Sequence, residues 1–169
     1  VSDEWIQDKL IQASKDGYIT TAFGLRVRTP ILKQTLIGKK STPFEAEAES
    51  RTAGNALGQG WGLLNNRAGI EFQKRVLTSP YAMDIKPTMQ IHDALYFIVK
   101  DTIGCMAWFN RNLTECMAWQ ELPEIQHDIV KLSGSVDIFY PNWTENFTLP
   151  NHASKLEILK ICKTKSASA

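Results

Sequence analysis

The stretch TMQIHDALYFIVK, Thr88 to Lys100, decides the fold. Apolar residues dominate on both sides of one polar pair, His92-Asp93. Met89 and Ile91 precede the pair; Ala94, Leu95, Tyr96, Phe97, Ile98 and Val99 follow it. Aromatic and β-branched residues favour a strand. The run is long for one strand, so the composition predicts two antiparallel strands with a tight turn at His92-Asp93. That places the Asp93 carboxylate at the tip of a buried hairpin. A carboxylate among apolar strands needs a cation, a donor or a metal. A turn aspartate can also simply bond to its own backbone. The stretch alone leaves both readings open, and the rest of the chain favours the first.

The chain has 169 residues, enough for a domain with a core. Its 43% hydrophobic and 22% charged content suits a soluble globular protein. A net charge of +1 gives no global signal for nucleic acid, so any basic surface is local. Cys105, Cys116 and Cys162 are odd in number and widely spaced. This argues against a disulfide framework or zinc knuckle and fits a reducing compartment. Sequons at Asn112, Asn142 and Asn146 come without a signal peptide and are read as chance. No apolar run is long enough to span a bilayer. The chain starts at Val1, which fits a piece of something longer.

In order, Asp3 to Lys15 reads as a helix with Trp5, Ile6, Leu10, Ala13 and Ile11 to one side. Tyr18 to Ala22 and Leu25 to Thr29 read as a hairpin around Phe23-Gly24, with Arg26 and Arg28 on one face. That face is either a solvated edge or a phosphate contact. Pro30 to Ser41 reads as a basic loop. Thr42-Pro43-Phe44-Glu45 is a helix start, with Thr as N-cap and Glu closing a capping box. One long helix is expected from Pro43 to about Leu77, with room for a kink. It holds Gly54, Gly58, Gly60 and Gly62, each costing roughly 1 kcal/mol against Ala. Gly54, Gly58 and Gly62 share a face on which another backbone can approach closely. Arg51, Asn55 and Gln59 form the neighbouring stripe. It is either a wet face or a set of donors for minor-groove acceptors, which all base pairs share. Ser79 to Pro87 reads as a loop. Asp101-Thr102 caps a helix from Ile103 to Trp119, broken at Leu122-Pro123. Ile129 to Phe139 reads as one or two strands, Tyr140 to Trp143 as a turn, and Ala153 to Lys163 as a helix. Ser166 to Ala169 reads as a disordered end.

Four motifs in this order resemble the C-terminal palm region of family A DNA polymerases, the bacterial polymerase I and bacteriophage replicase group. Gly17 to Arg26 is similar to the family's GY-x-x-T-x-x-G-R-R hairpin. Arg51-x3-Asn55-x3-Gln59-Gly60 is similar to its minor-groove helix. Gln90-Ile91-His92-Asp93 resembles the palm motif usually written His-Asp-Glu, and Asn142-Trp143 resembles the late Asn-Trp. The spacing before the helix and the tail look more like the bacteriophage type.

The resemblance implies a role for each matched residue. Asp93 is one of two aspartates holding a Mg²⁺ pair for in-line nucleotidyl transfer. His92 touches the primer terminus. Arg51, Asn55 and Gln59 hold the terminal base pairs, and Arg26 contacts phosphate. Leu25 stands where the family has an arginine, and Ala94 where it has Glu. A DYS-x-x-E-x-R strand with the other aspartate is missing, as is an R-x3-K-x6-YG nucleotide-binding helix. The resemblance therefore implies part of a DNA-directed DNA polymerase, inactive alone. Its partners are primer-template DNA, deoxynucleoside triphosphates and a chain or region carrying the missing motifs. Residues 1–150 form the palm portion and 151–169 a basic extension. The location implied is cytoplasmic, in a bacterial host if phage-encoded, with no membrane partner. The expected fold is α+β, a small antiparallel sheet with helices on one face. Two alternatives stand beside this reading: a non-catalytic nucleic-acid-binding protein derived from a palm, and a scaffold with Arg51, Asn55 and Gln59 in an internal polar network.

Overall fold

The computed structural model describes residues 2–34, 44–60, 62–119, 128–130 and 132–166. The elements are α1 (Ser2–Asp16), β1 (Tyr18–Thr20), β2 (Arg26–Arg28), α2 (Pro30–Lys33), α3 (Phe44–Gln59) and α4 (Gly62–Leu77), followed by β3 (Ile85–Ile91), β4 (Ala94–Val99), α5 (Ile103–Met117), β5 (Val136–Phe139), β6 (Asn146–Leu149) and α6 (Lys155–Ser166). The fold is α+β. Its antiparallel pairing is divided among three two-stranded hairpins, β1-β2, β3-β4 and β5-β6. Two compact units divide the chain, Val1–Leu63 and Leu64–Ala169.

In the first unit, Leu10, Ala13, Ile19, Leu32, Ala53 and Leu57 form the core, with Ile6 and Val27 against it. The buried side of α1 is thus Ile6, Leu10 and Ala13, at helical spacing. Trp5 and Ile11, expected on the same side, are exposed. Gly17 takes φ 79, and a Cβ there would lie 2.8 Å from Lys33 Cδ, so glycine is needed to turn from α1 into β1. Part of the expected basic loop is the short α2. Its Leu32 N–H donates to the Glu49 carboxylate of α3 at 2.6 Å, tying the two helices.

The expected long helix is two helices. Gly60, buried, ends α3 by donating its N–H to the Ala56 carbonyl at 2.9 Å. Helix α4 then begins at Gly62. The helix that ends at Gln59 and the one that starts at Gly62 meet in a Gly-rich stretch, and Gly is second only to Pro in its unfitness for a helix interior. The Thr42-Pro43 start lies outside the described residues, as do the Leu122-Pro123 break and Ala167 to Ala169.

The second unit is built around Phe72 of α4, which is fully buried. Its ring meets Phe97 of β4 at 5.2 Å and Phe109 of α5 at 5.3 Å, both edge-on. Val76, Ile85, Leu113, Val136, Leu149 and Ile158 complete that core. Thr102 is the N-cap of α5, accepting from the Cys105 N–H at 3.4 Å, as expected. Strand β3 starts at Ile85, inside the stretch expected to be loop. The register slips between Pro87 and Met89, leaving Thr88 as a bulge whose hydroxyl donates to the Tyr96 carbonyl at 3.0 Å. A bulge tolerates Pro87, which lacks an N–H for the ladder, so the strand passes through it. The late strands are β5 and β6, and β6 lies beyond the stretch in which strands were expected.

Candidate nucleic-acid interface

The β3-β4 hairpin has two unlike faces. Gln90 pairs with Leu95 and Pro87 with Phe97; Met89 pairs with Tyr96 and Ile91 with Ala94. The first set faces the helices. Leu95 packs on Gly69 of α4, where a Cβ would lie 3.3 Å from Leu95 Cδ1. Gln90 Nε2 donates a short hydrogen bond to Asn66 Oδ1 of the same helix. On the other face Tyr96 stacks with Trp143 at 5.4 Å and Phe139 at 6.5 Å, and those two rings lie 4.9 Å apart. The Asn142 side chain accepts from the Thr144 N–H at 2.9 Å, fixing the turn that presents Trp143. Asn142-Trp143 therefore braces the outer face of the hairpin.

His92 and Asp93 form the two-residue turn between Ile91 and Ala94. His92 has φ 51, the sign that tight hairpin turns require at their first residue. Glycine usually fills such a position, and an L-residue there is uncommon. The buried tip expected from the sequence is not found. His92 and Asp93 are both exposed, and neighbouring Ile91 is 46% exposed. Residues 86–91 of β3 are all exposed, whereas Ala94 to Phe97 of β4 are half-buried. Among the described residues neither side chain forms a hydrogen bond or ion pair. The Asp93 carboxylate is exposed and open to an external partner.

Whether these residues can hold a metal is a question of donor number. Mg²⁺ is bound by carboxylates in a near-octahedral oxygen set. Among the described residues no group of three or more His, Cys, Asp or Glu side chains converges on one point. Asp93 is thus a single exposed carboxylate around which the described residues gather no such group.

The first unit carries the other candidate residues. On α3, Ala46, Ala53 and Leu57 face inward and are buried, while Arg51, Asn55 and Gln59 are exposed. These three make no hydrogen bond or ion pair among the described residues, contrary to an internal polar network. A Cβ added to Gly54, Gly58 or Gly62 would meet nothing within 4 Å, so no part of the described chain makes the close approach that the glycines permit. Arg26 is exposed on β2, its guanidinium 4.6 Å from the Tyr18 ring centre. Stacking holds the guanidinium in place and leaves its edge free to donate.

No protein-family profile matches the chain, and no curated protein matches it by sequence. Among solved structures, the chain is similar to the POL domain of Pol1 from M. smegmatis in complex with DNA primer-template and dNTP. The TM-score is 0.59 at 26% identity, covering 78% of this chain and 21% of that one. The chain is related to a DNA polymerase domain. This supports a polymerase relation in general and not the bacteriophage type specifically. The chain spans about a fifth of the polymerase it matches.

Sequence reasoning missed two parts of this polymerase-like hairpin. Asn66 anchors Gln90, and Gly69 receives Leu95. An Asn pair and a Gly inside a helix were the available signals, since both weaken a helix and need a tertiary reason. No helix among the described residues is long and apolar enough to cross a membrane.

Proposed function

We propose that this chain is the C-terminal palm portion of a DNA-directed DNA polymerase. The observation that carries the reading is the exposed His92-Asp93 turn on a braced two-stranded hairpin, in a chain whose fold resembles a polymerase domain. Asp93 supplies one carboxylate toward a Mg²⁺ pair, and the second carboxylate comes from outside this chain. When bound, the metals supply charge neutralisation on the triphosphate and a more acidic primer hydroxyl. His92 contacts the primer end near its phosphate. Arg51, Asn55 and Gln59 grip the minor groove of the terminal base pairs, where shared acceptors make the grip sequence-independent. The open space beside Gly54 and Gly58 suits close approach of a nucleic-acid backbone. Arg26 contacts phosphate. Residues 1–150 make up the palm portion and 151–169 a basic extension.

A primer-extension assay tests this. The purified 169-residue chain extends no primer by itself, and adding a chain that carries the remaining polymerase motifs restores extension. Extension by the chain alone, abolished by Asp93→Asn, would show that a second carboxylate is present here. Extension in the mixture that survives Asp93→Asn would remove Asp93 from the reaction.

A further inference from the structure

The second unit holds a cleft of about 550 Å³ between the start of α5, the β5-β6 hairpin and α6. We propose that this cleft binds a small apolar organic cation, an aryl- or alkylammonium. Its volume lies within the roughly 300–1,000 Å³ typical of small-molecule sites. Met106, Ile138, Phe147 and Ile158 supply an apolar part of the lining, and the half-buried Cys162 joins them. The polar groups include two carboxylates, Asp101 and Glu145, both exposed. Neither forms an ion pair among the described residues. Asp101 is close enough that its charge, after burial, helps to push the Cys162 thiol up. Two like charges on one small cleft create a negative field that attracts a cation and repels an anion. The exposed Tyr140 ring, also in the lining, favours the same sign of charge. An apolar body fills the interior while the ammonium stays at the wet rim, so neither part is stranded. None of the lining residues belongs to the His92-Asp93 turn. The site thus stands independently of the polymerase reading.

Alkylation of Cys162 reports occupancy directly. Cys105 and Cys116 are buried and serve as unlabelled internal controls. The full chain is treated with iodoacetamide, and the label is located by peptide mass, with and without 1-naphthylmethylammonium. The expected result is slowed labelling at Cys162 with the ammonium and little change with the neutral isostere 1-naphthylmethanol. By calorimetry, Asp101→Asn and Glu145→Gln each weaken binding of the ammonium about threefold, and the double variant about tenfold. Both positions are exposed, so folding is preserved. Equal protection by the alcohol and the ammonium, or unchanged affinity in the double variant, would overturn the choice of a cation. No protection by either compound would overturn the site itself.

Discussion

Replacing Arg51, Asn55 and Gln59 with alanine should separate binding from folding. All three side chains are exposed on α3 and contact no described residue through a hydrogen bond or ion pair. Their removal forfeits no hydrogen bond or ion pair among the described residues. Alanine is the best helix former, so each substitution gains up to about 0.7 kcal/mol of propensity, most at Asn55. Surface changes of this kind stay within about 0.5 kcal/mol each. The triple variant should therefore unfold in urea at the same or slightly higher concentration than the wild type. If these residues grip DNA, each deletion costs about 1–3 kcal/mol of contact free energy. That is roughly 5- to 150-fold in Kd. The residues lie one helical turn apart, so the three losses should not add fully. Fluorescence anisotropy with a labelled primer-template at low salt measures the effect. Arg51→Ala should also flatten the salt dependence, by up to about 0.9 in log-log slope for one neutralised phosphate. Asn55→Ala and Gln59→Ala should leave that slope unchanged because they carry no charge. A triple variant that loses more than about 1 kcal/mol of stability would refute the reasoning by reviving an internal role. Unchanged affinity in a folded triple variant would refute the interface.

Three further outcomes are expected. In a reconstituted enzyme, Asp93→Asn should abolish incorporation with primer-template affinity unchanged in anisotropy, since the exposed side chain contributes little binding surface. Ile158→Ala should cost the second unit about 2–5 kcal/mol in urea unfolding, because Ile158 is fully buried; deletion of 151–169 should then unfold that unit, and a cooperative, unshifted transition after deletion would show that α6 is dispensable. Acid should fray the start of α6: Glu157 accepts from the Ser154 N–H at 2.8 Å, that bond holds its carboxyl below the usual range, and the cap is present above that range and lost as pH falls through the lowered value. Glu157→Gln should remove this acid dependence from the Ser154 amide shift in NMR.

Much of the hairpin could be read from composition. A polar pair in an apolar run marks a turn whether or not the partner strands are known, and the turn falls at His92-Asp93. The N-cap at Thr102 was equally legible, because capping is a local interaction. Non-local effects were not. Strand β3 continues through Pro87, which lies on an edge strand beside the Thr88 bulge. Strand β6 consists of Asn146, Phe147, Thr148 and Leu149, too short and too polar to stand out by itself. It is held by its partner, with the Thr148 hydroxyl donating to the Asp137 carboxylate at 2.5 Å. The exposure of Asp93 was misjudged for a similar reason. Sequence shows that a strand is apolar, and only packing shows which of its residues are covered.

The residues left unexplained by folding are informative in themselves. His92 adopts a backbone conformation that glycine would take more easily. Gly54 and Gly58 sit inside a helix where alanine would be about 1 kcal/mol better, and an added Cβ at either would meet no described atom within 4 Å. Arg51, Asn55 and Gln59 decorate the same helix without a partner among the described residues. Stability alone would replace every one of these residues. Local rules that fail without an internal compensation point to an external one. Each failure falls on an element that the sequence associates with primer-template contact, α3 or the β3-β4 turn. The nucleic-acid contact proposed above would account for both elements at once. It would also account for their chemistry: donors and missing side chains where a backbone would approach, and a free carboxylate where a cation would be needed.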